Sequence, residues 1–231
     1  MNEEVTRSLN HYSGFQFTPE YFRLNAKERE GVNQRILDGL RPFDLKVGFY
    51  SLYPSVAEAD LLLWTAREME SDESTAAFFE SLAEATRPLR AYASPKFTLW
   101  GYTAPSTYSK AKSAQEIDPF EGERQRYLVL YPFVKTADWY LLSRDARQGM
   151  MNEHIRLGKQ YPQIKQLLLY SFGVQDQEFV VVYETMELPL FSKLVQELRA
   201  TDARPYTQRD TPLYTAILQP NENPLAIWSA Q

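Results

Sequence analysis

Alternation of apolar and polar residues predicts two strands in the second half of the chain, one on either side of a helix. In residues 127–133 every second side chain is Tyr, Val or Phe, which is the period of a half-buried β-strand. Residues 165–171 alternate in the same way, with Gln166 and Tyr170 on one face. Between these strands, apolar residues from 143 to about 160 recur at helical spacing. Gln166 and Tyr170 face either solvent or a cavity, and their spacing leaves both interpretations open.

The first half of the chain repeats these patterns with few identical residues. The string YFRLNAKEREGVNQRI, from Tyr21, aligns with WYLLSRDARQGMMNEHI, from Trp139, and each contains a good helix N-cap residue, Asn25 or Ser143. The strings AEADLLLWT and STAAFFESLAEA correspond to DQEFVVVYE and ELPLFSKLVQEL. Each half therefore predicts strand, helix, strand, strand, helix, strand. This order is typical of a ferredoxin-like unit, so we predict an α+β fold of two tandem duplicated units.

A polar segment between the two halves sets the predicted domain limits. Residues 105–126 contain two prolines and show no periodicity, as expected of a linker. In the C-terminal tail, Leu225, Ile227 and Trp228 are expected to dock on the body or on a neighbouring subunit. The predicted segments are an N-terminal unit 1–104, a linker 105–126, a C-terminal unit 127–218 and a tail 219–231.

Composition excludes several classes of function. The 231 residues include no cysteine and only two histidines, which excludes disulfides, Cys-ligated metals and thiol nucleophiles. A metal held by a single imidazole, such as haem iron, remains compatible with this inventory. The 25 basic and 30 acidic residues give a formal charge of −5, which argues against a nucleic-acid partner. No apolar run is long enough for a membrane span and no secretory signal is visible, so we predict a cytoplasmic protein.

The repeat distinguishes the two histidines. His154 stands where the first half has Ile36, on a helix face that it shares with Met150 and Leu157. His11 lies in the N-terminal segment, which shows no pattern. An imidazole on an apolar stripe is either a core histidine bonded to a neighbour or a ligand, and spacing leaves both interpretations open.

Four strings in the C-terminal half together resemble the chlorite dismutase superfamily of haem proteins. They are YPFVKTADWYLL (131–142), MMNEHIRLGKQYP (150–162), KQLLLYSFGVQDQEFVVVYE (165–184) and LVQELRATDARPYTQRDTP (194–212). The resemblance implies two ferredoxin-like units whose antiparallel sheets form a barrel, and a ring-like homo-oligomer, commonly a pentamer. It also implies that His154 is the axial ligand of iron in haem b or iron-coproporphyrin III, with Met150 and Leu157 beside the porphyrin.

The residue at the distal position decides the branch of this family. True chlorite dismutases carry an arginine there, and counting back from the family's turn, here residues 173–176, places Gln166 at that position. The preceding loop is one residue shorter than in other branches of the family, so the distal position could also fall on Lys165 or Leu167. Neither of these residues is arginine. A glutamine at this position resembles the coproheme decarboxylase branch.

The decarboxylase branch implies a reaction and further site residues. In this branch, hydrogen peroxide oxidises iron-coproporphyrin III, a tyrosine matched here by Tyr131 takes a hydrogen atom from a propionate, and loss of two CO₂ yields haem b. Lys135 and Arg199 match residues near the propionates, although both positions are also compatible with solvated charges. Trp139 matches a tryptophan of the family motif, and core packing is its other interpretation. Arg204 stands where a common form of the branch has serine.

Loop length leaves alternative functions open. The segment between Lys135 and Trp139 is several residues shorter than in that form of decarboxylase, and in length it resembles the chlorite dismutases. The alternatives are a chlorite dismutase that forms chloride and O₂, a non-catalytic haem-binding or haem-transfer protein that uses only His154, and a ligand-free structural member. The expected partners are the porphyrin, hydrogen peroxide and further copies of the chain.

Overall fold

The structure is a computed structural model that describes residues 7–43, 45–69, 74–109, 113–120 and 123–229. The chain divides into two units, one formed by Met1–Tyr102 with Ala216–Gln231 and the other by Thr103–Thr215. Both units contain helices and antiparallel strands, which confirms the predicted α+β class. The predicted domain limits at residues 104, 126 and 218 stay predictions.

Among the described residues up to Tyr102, the first unit consists of four antiparallel strands and four helices. Its elements are β1 (Arg7–Phe17), α1 (Pro19–Arg23), α2 (Ala26–Leu40), β2 (Lys46–Ser51), β3 (Leu61–Met69), α3 (Ser74–Ala85), α4 (Arg87–Arg90) and β4 (Ala93–Tyr102). Strand β1 pairs with both β3 and β4, and β3 pairs on its other side with β2. The strand order is therefore β4-β1-β3-β2.

Helix α2 covers one face of this sheet. It begins with a capping box, in which the Asn25 side chain accepts a hydrogen bond from the Glu28 N–H and the Glu28 carboxylate accepts one from the Asn25 N–H. Val32, Ile36 and Leu40 then follow at helical spacing and are buried in the main core of the unit. Local capping and the apolar stripe thus favour the same helix.

The C-terminal tail contributes to the same core. Leu225 and Trp228 are buried in it, whereas Ile227 is exposed. Arg29 donates a hydrogen bond to the Trp228 carbonyl at 3.2 Å, and Asn33 donates one to the Leu225 carbonyl at 3.3 Å. These contacts join the tail to helix α2.

His11 lies in strand β1, which corrects our expectation of an N-terminal segment without pattern. The side chain is only 7% exposed, and its ring centroid lies 6.0 Å from that of Phe79. Its Nδ1 lies 3.1 Å from the Ser13 hydroxyl, and burial lowers the pKa of His11 to about 4. Because β1 is paired on both sides and buried on both faces, it lacks the alternation that identifies a half-exposed strand.

The second unit repeats the order of the first. Its elements are β5 (Tyr127–Lys135), α5 (Ala137–Leu141), α6 (Arg144–Gly158), β6 (Lys165–Tyr170), β7 (Phe179–Thr185), α7 (Leu188–Leu198), a 3₁₀ turn (Arg204–Tyr206), β8 (Thr207–Arg209) and the start of β9 (Tyr214–Leu218). Strand β5 pairs with β7 and β8, and β7 pairs with β6, so the order is β8-β5-β7-β6. The end of β9 belongs to the first unit, where it pairs with β2, and α8 (Ala226–Ser229) follows.

Helix α6 covers its sheet less completely than α2 covers the first sheet. The Ser143 hydroxyl caps α6 by accepting a hydrogen bond from the Ala146 N–H at 3.2 Å. No residue of α6 is fully buried, whereas α2 buries Ile36 and four other residues. The face of α6 that carries His154 is thus only half-buried. Among the described residues, no helix has both the length and the apolar character needed to cross a membrane.

Candidate functional site

One face of the sheet in the second unit carries Tyr131 and Gln166. Tyr131 on β5 lies opposite Val181 on β7, and Tyr183, two residues further along β7, lies opposite Gln166 on β6. Since side chains alternate along a strand and paired residues share a face, all four point to the same side. The two residues that sequence reasoning assigned to chemistry thus share one surface.

The strand register also shows on which face of the sheet Gln166 and its two neighbours lie. Lys165 and Leu167 alternate with Gln166 and point to the opposite face. Leu167 is buried there, whereas the Gln166 side chain is exposed. Of the three residues in the predicted register, only Gln166 lies on the face of Tyr131.

The Tyr131 phenol meets a second phenol, Tyr183, which the sequence did not indicate. The ring centroids lie 6.4 Å apart and the rings are nearly parallel. Burial holds the pKa of Tyr131 well above its usual value, and the neighbouring Tyr183 phenol adds to this rise. Burial also raises the pKa of Tyr183. Tyr131 therefore keeps its hydroxyl hydrogen at neutral pH.

Helix α6 presents Met150, His154 and Leu157 on one half-buried face. Leu157 packs in the same cluster as Val129 and Tyr183, so this helix lies over the sheet face described above. No hydrogen bond from the described residues engages the His154 imidazole. Burial, with a smaller contribution from the Lys135 charge, lowers the pKa of His154 to about 4. The imidazole is therefore neutral at pH 7, which is the form that binds a metal.

Lys135 lies at the end of β5 with its ammonium over two aromatic rings. Its Nζ is 4.1 Å from the centroid of Trp139 and 5.2 Å from that of Phe133. Among the described residues it forms no ion pair, although Glu178 is close enough to influence it. Burial lowers the pKa of Lys135 to about 8, with Glu178 opposing this effect and Arg204 adding to it. Trp139 is buried, which is compatible both with a role in the family motif and with core packing.

Arg199 and Arg204 converge on a single carboxylate, Asp210. Arg199 Nη2 lies 3.3 Å and Arg204 Nη1 lies 2.6 Å from the same Asp210 Oδ2. Both Asp210 and Arg199 influence the pKa of Tyr131, which places this cluster near the phenol. A cavity of about 620 Å³ adjoins it, lined by Met150, Arg199, Ala200, Thr201, Asp202, Arg204, Pro205 and Tyr206.

Gln115, in the predicted linker, holds the loop between α6 and β6. Its side-chain Nε2 lies 3.3, 2.9 and 3.0 Å from the carbonyl oxygens of Gly158, Tyr161 and Ile164. Its own carbonyl accepts a hydrogen bond from the Gln166 N–H at 2.7 Å. The segment thus contacts both the end of the His154 helix and the strand of Gln166.

These residues fit a porphyrin that brings its own four nitrogen ligands. Among the described residues, the neutral His154 imidazole forms no hydrogen bond and lies on a half-buried apolar face, and the Lys135 ammonium forms no ion pair. Two arginines line the adjoining cavity. In the part of the chain that the structure describes, no three His, Cys, Asp or Glu side chains converge to hold a metal ion. Iron at this position would therefore depend on a single protein ligand, His154.

Sequence reasoning missed Tyr183, Asp210 and Gln115. Tyr183 follows from the alternation of β7, but the meeting of its hydroxyl with that of Tyr131 depends on side-chain rotamers. Asp210 and Gln115 act through irregular segments, which carry no periodic signal. Their roles become visible only when residues distant in sequence are brought together.

Comparisons with known proteins agree on one family. The family model described as Chlorite dismutase matches residues 24–219. A coproheme decarboxylase from Mycolicibacterium smegmatis is 31% identical over 182 residues, which cover 78% of this chain and 75% of that protein. A chlorite dismutase from Ideonella dechloratans is 25% identical over 222 residues, 92% of this chain and 76% of that protein. The structure of the chlorite dismutase from Candidatus Nitrospira defluvii in complex with imidazole matches with a TM-score of 0.82 at 21% identity, covering 96% of this chain and 95% of that one.

Proposed function

The chain belongs to the chlorite dismutase family, and from this premise we propose that it is a peroxide-dependent decarboxylase of iron-coproporphyrin III. The observation that carries the proposal is that Tyr131 shares a sheet face with a neutral amide, Gln166, on a strand that contains no arginine. A phenol that retains its hydrogen suits hydrogen-atom transfer. The similarity to a coproheme decarboxylase supports the same reaction.

The reaction balances for each propionate with one peroxide. The –CH₂CH₂COO⁻ group, H₂O₂ and one proton give –CH=CH₂, CO₂ and two molecules of water. The propionate loses two electrons as its C–C bond to the carboxylate breaks, and peroxide accepts them as its O–O bond breaks. Two such reactions convert iron-coproporphyrin III into haem b.

Each site residue has a distinct part in this proposal. His154 would hold the iron, with Met150 and Leu157 against the porphyrin ring. When bound, the iron porphyrin supplies the centre that peroxide oxidises and also the propionates that are cleaved.

The polar residues would act on the propionates and the peroxide. Lys135 and Arg199 would bind propionate oxygens, because charge-assisted bonds to carboxylates are strong and directional. Tyr131 would first give up its hydroxyl hydrogen, as one electron and one proton, under oxidation by peroxide. The resulting phenoxyl radical would then take a hydrogen atom from the propionate, which restores the phenol in each cycle. Gln166 would form a hydrogen bond to peroxide without fixing a charge beside it.

The proposal extends to the architecture and assembly of the protein. The identical strand orders β4-β1-β3-β2 and β8-β5-β7-β6 support two duplicated ferredoxin-like units, whose sheets would form a barrel. Family membership supports a ring-like homo-oligomer, which we propose to be a pentamer in the cytoplasm.

Chlorite dismutase is the second candidate function. The short segment between Lys135 and Trp139 and the 25% identity to a chlorite dismutase favour it. Gln166 argues against it, since a neutral amide cannot supply the fixed positive charge that orients hypochlorite in that reaction.

The decisive experiment uses the full-length protein with ferric coproporphyrin III. Peroxide is titrated and the porphyrins are followed by mass spectrometry, and we expect stepwise loss of two CO₂ units. Tight binding with no change in mass would leave a haem carrier, and O₂ release from chlorite would support the second candidate. His154→Ala serves as the ligand control and should lose the spectrum of histidine-ligated iron.

A further inference from the structure

Asp210 forms ion pairs with two arginines at the wall of the cavity. A single oxygen, Oδ2, accepts hydrogen bonds from Arg204 at 2.6 Å and from Arg199 at 3.3 Å. Both arginines line the cavity, whereas Asp210 does not. The Asp210 side chain is 18% exposed, against 50% for Arg199 and 33% for Arg204. Both arginines thus contribute to the cavity wall, and the carboxylate that pairs with them is the least exposed of the three side chains.

The charges in this cluster cancel only in part. Two guanidinium cations and one carboxylate leave a single net positive charge at the cavity wall. Each guanidinium carries five N–H donors, and only one from each is bonded to Asp210. An incoming carboxylate therefore finds free donors but must compete with an anion that is already there.

We propose that Asp210 is a built-in counter-ion that weakens the grip of Arg199 and Arg204 on the carboxylates of a bound porphyrin. The inference rests on the proposed function for its ligand class, a porphyrin carboxylate. By competing for the same donors, Asp210 limits affinity and allows a carboxylate-bearing ligand to leave. It acts on affinity through the two arginines and need not touch the ligand.

The test measures binding of metal-free coproporphyrin III, which carries four carboxylates and cannot react with peroxide. Its fluorescence is titrated with wild-type protein, Asp210→Asn and Asp202→Asn. Asp202 is the matched control, because it lines the same cavity but forms no ion pair with either arginine among the described residues. Asp210→Asn should bind about tenfold more tightly, equivalent to 1.4 kcal/mol, whereas Asp202→Asn should change affinity much less.

Two further measurements separate competition from other effects. The tetramethyl ester of coproporphyrin III has no charge, so its affinity should not respond to Asp210→Asn. Arg204→Gln should weaken coproporphyrin binding slightly in the wild-type background and strongly in the Asp210→Asn background, which a double-mutant cycle detects. The cycle compares the effect of Arg204→Gln with and without Asp210, so a modest loss of stability that is common to the variants cancels in the coupling energy.

The inference is overturned if Asp210→Asn binds coproporphyrin III no more tightly than wild type, or if Asp202→Asn has an equal effect. Weaker binding by Asp210→Asn would show instead that the carboxylate orients the arginines for the ligand. These results are independent of catalysis, since the proposed function fails only if wild-type protein releases no CO₂ from ferric coproporphyrin III.

Discussion

At the scale of single residues, the site combines a phenol that keeps its hydrogen with a lysine ammonium that lies over aromatic rings. Burial raises the pKa of Tyr131, and the neighbouring Tyr183 phenol adds to this rise. Lys135 lies over Trp139 with no ion pair among the described residues. A deprotonated phenol would have no hydrogen to transfer. A lysine that is fully paired with an anion would not be available to bind a carboxylate.

Tyr131→Phe removes the transferable hydrogen and little else. We expect porphyrin affinity to stay within about twofold, because the variant keeps the aromatic ring and every charged group that is proposed to bind the propionates. Decarboxylation should fall by about 10²–10⁴-fold, the range associated with a positioned proton-transfer group. The assay is CO₂ loss by mass spectrometry at saturating ferric coproporphyrin III. Tyr127→Phe, on the same strand face, is the control, and unchanged turnover in Tyr131→Phe would remove Tyr131 from its role.

Lys135 should give porphyrin binding a pH dependence near pH 8. Burial lowers the pKa of Lys135 to about 8; the Glu178 carboxylate opposes this shift and the Arg204 guanidinium adds to it. Below this pH the ammonium is charged and can bind a carboxylate, and above it the charge is lost. Affinity for metal-free coproporphyrin III should therefore fall as pH rises from 7 to 9. Lys135→Arg should abolish this fall, because a guanidinium keeps its proton throughout this range; an identical profile in the variant would contradict the assignment.

The sequence predicted individual residues better than their partners. Alternation along 165–171 was sufficient to put Gln166 on a defined face, because strand geometry fixes the period. It could not indicate that Tyr131 would meet Tyr183, or that Asp210 would bind two arginines. Such pairs depend on rotamers and on the path of irregular segments.

At the scale of elements, the segment around Gln115 fixes the connection between α6 and β6. One amide nitrogen lies within hydrogen-bonding distance of three carbonyl oxygens, and those of Gly158 and Tyr161 also accept a backbone bond within the loop. Helix ends leave such carbonyls without intrahelical partners, and this loop follows directly after α6. The polar composition that predicted a simple linker concealed this structural role.

Gln115→Ala should destabilise the protein by about 1–3 kcal/mol, the cost of removing a part-buried side-chain donor from the carbonyl groups that it contacts. For a chain of this size, each kcal/mol corresponds to a decrease in Tm of about 2–4 °C. Differential scanning calorimetry of the apo-protein measures the shift. Gln125→Ala is the matched control, since Gln125 donates one exposed bond to the Gln163 carbonyl in the same loop. Equal effects from the two variants would show that the three-carbonyl contact adds nothing.

At the scale of the whole molecule, two units with one strand order differ at the helix position that holds His154 in the second unit. Ile36 lies in the core of the first unit with 1% of its surface exposed, and His154 occupies the corresponding position on α6. The helices begin alike, at Asn25 and Ser143, so the order of elements could be predicted from the repeat. The repeat could not predict that α6 is less buried against its sheet than α2, because burial depends on how closely each helix packs.

Exchanging His154 for the residue of the other half tests this division between stability and function. In His154→Ile an imidazole without a hydrogen-bonding partner among the described residues is replaced by an apolar side chain. Burying an unsatisfied polar group is costly, so the apo-protein should gain about 1 kcal/mol in free energy of unfolding. The same variant should lose the absorption spectrum of histidine-ligated iron, although Lys135 and the arginines should still bind metal-free coproporphyrin III. Ile36→Val, the control in the first unit, should lose about 0.5–1.5 kcal/mol and keep iron ligation. If His154→Ile were instead clearly less stable than wild type, the imidazole would be a structural core residue, and its absence of partners would need another explanation than ligand binding.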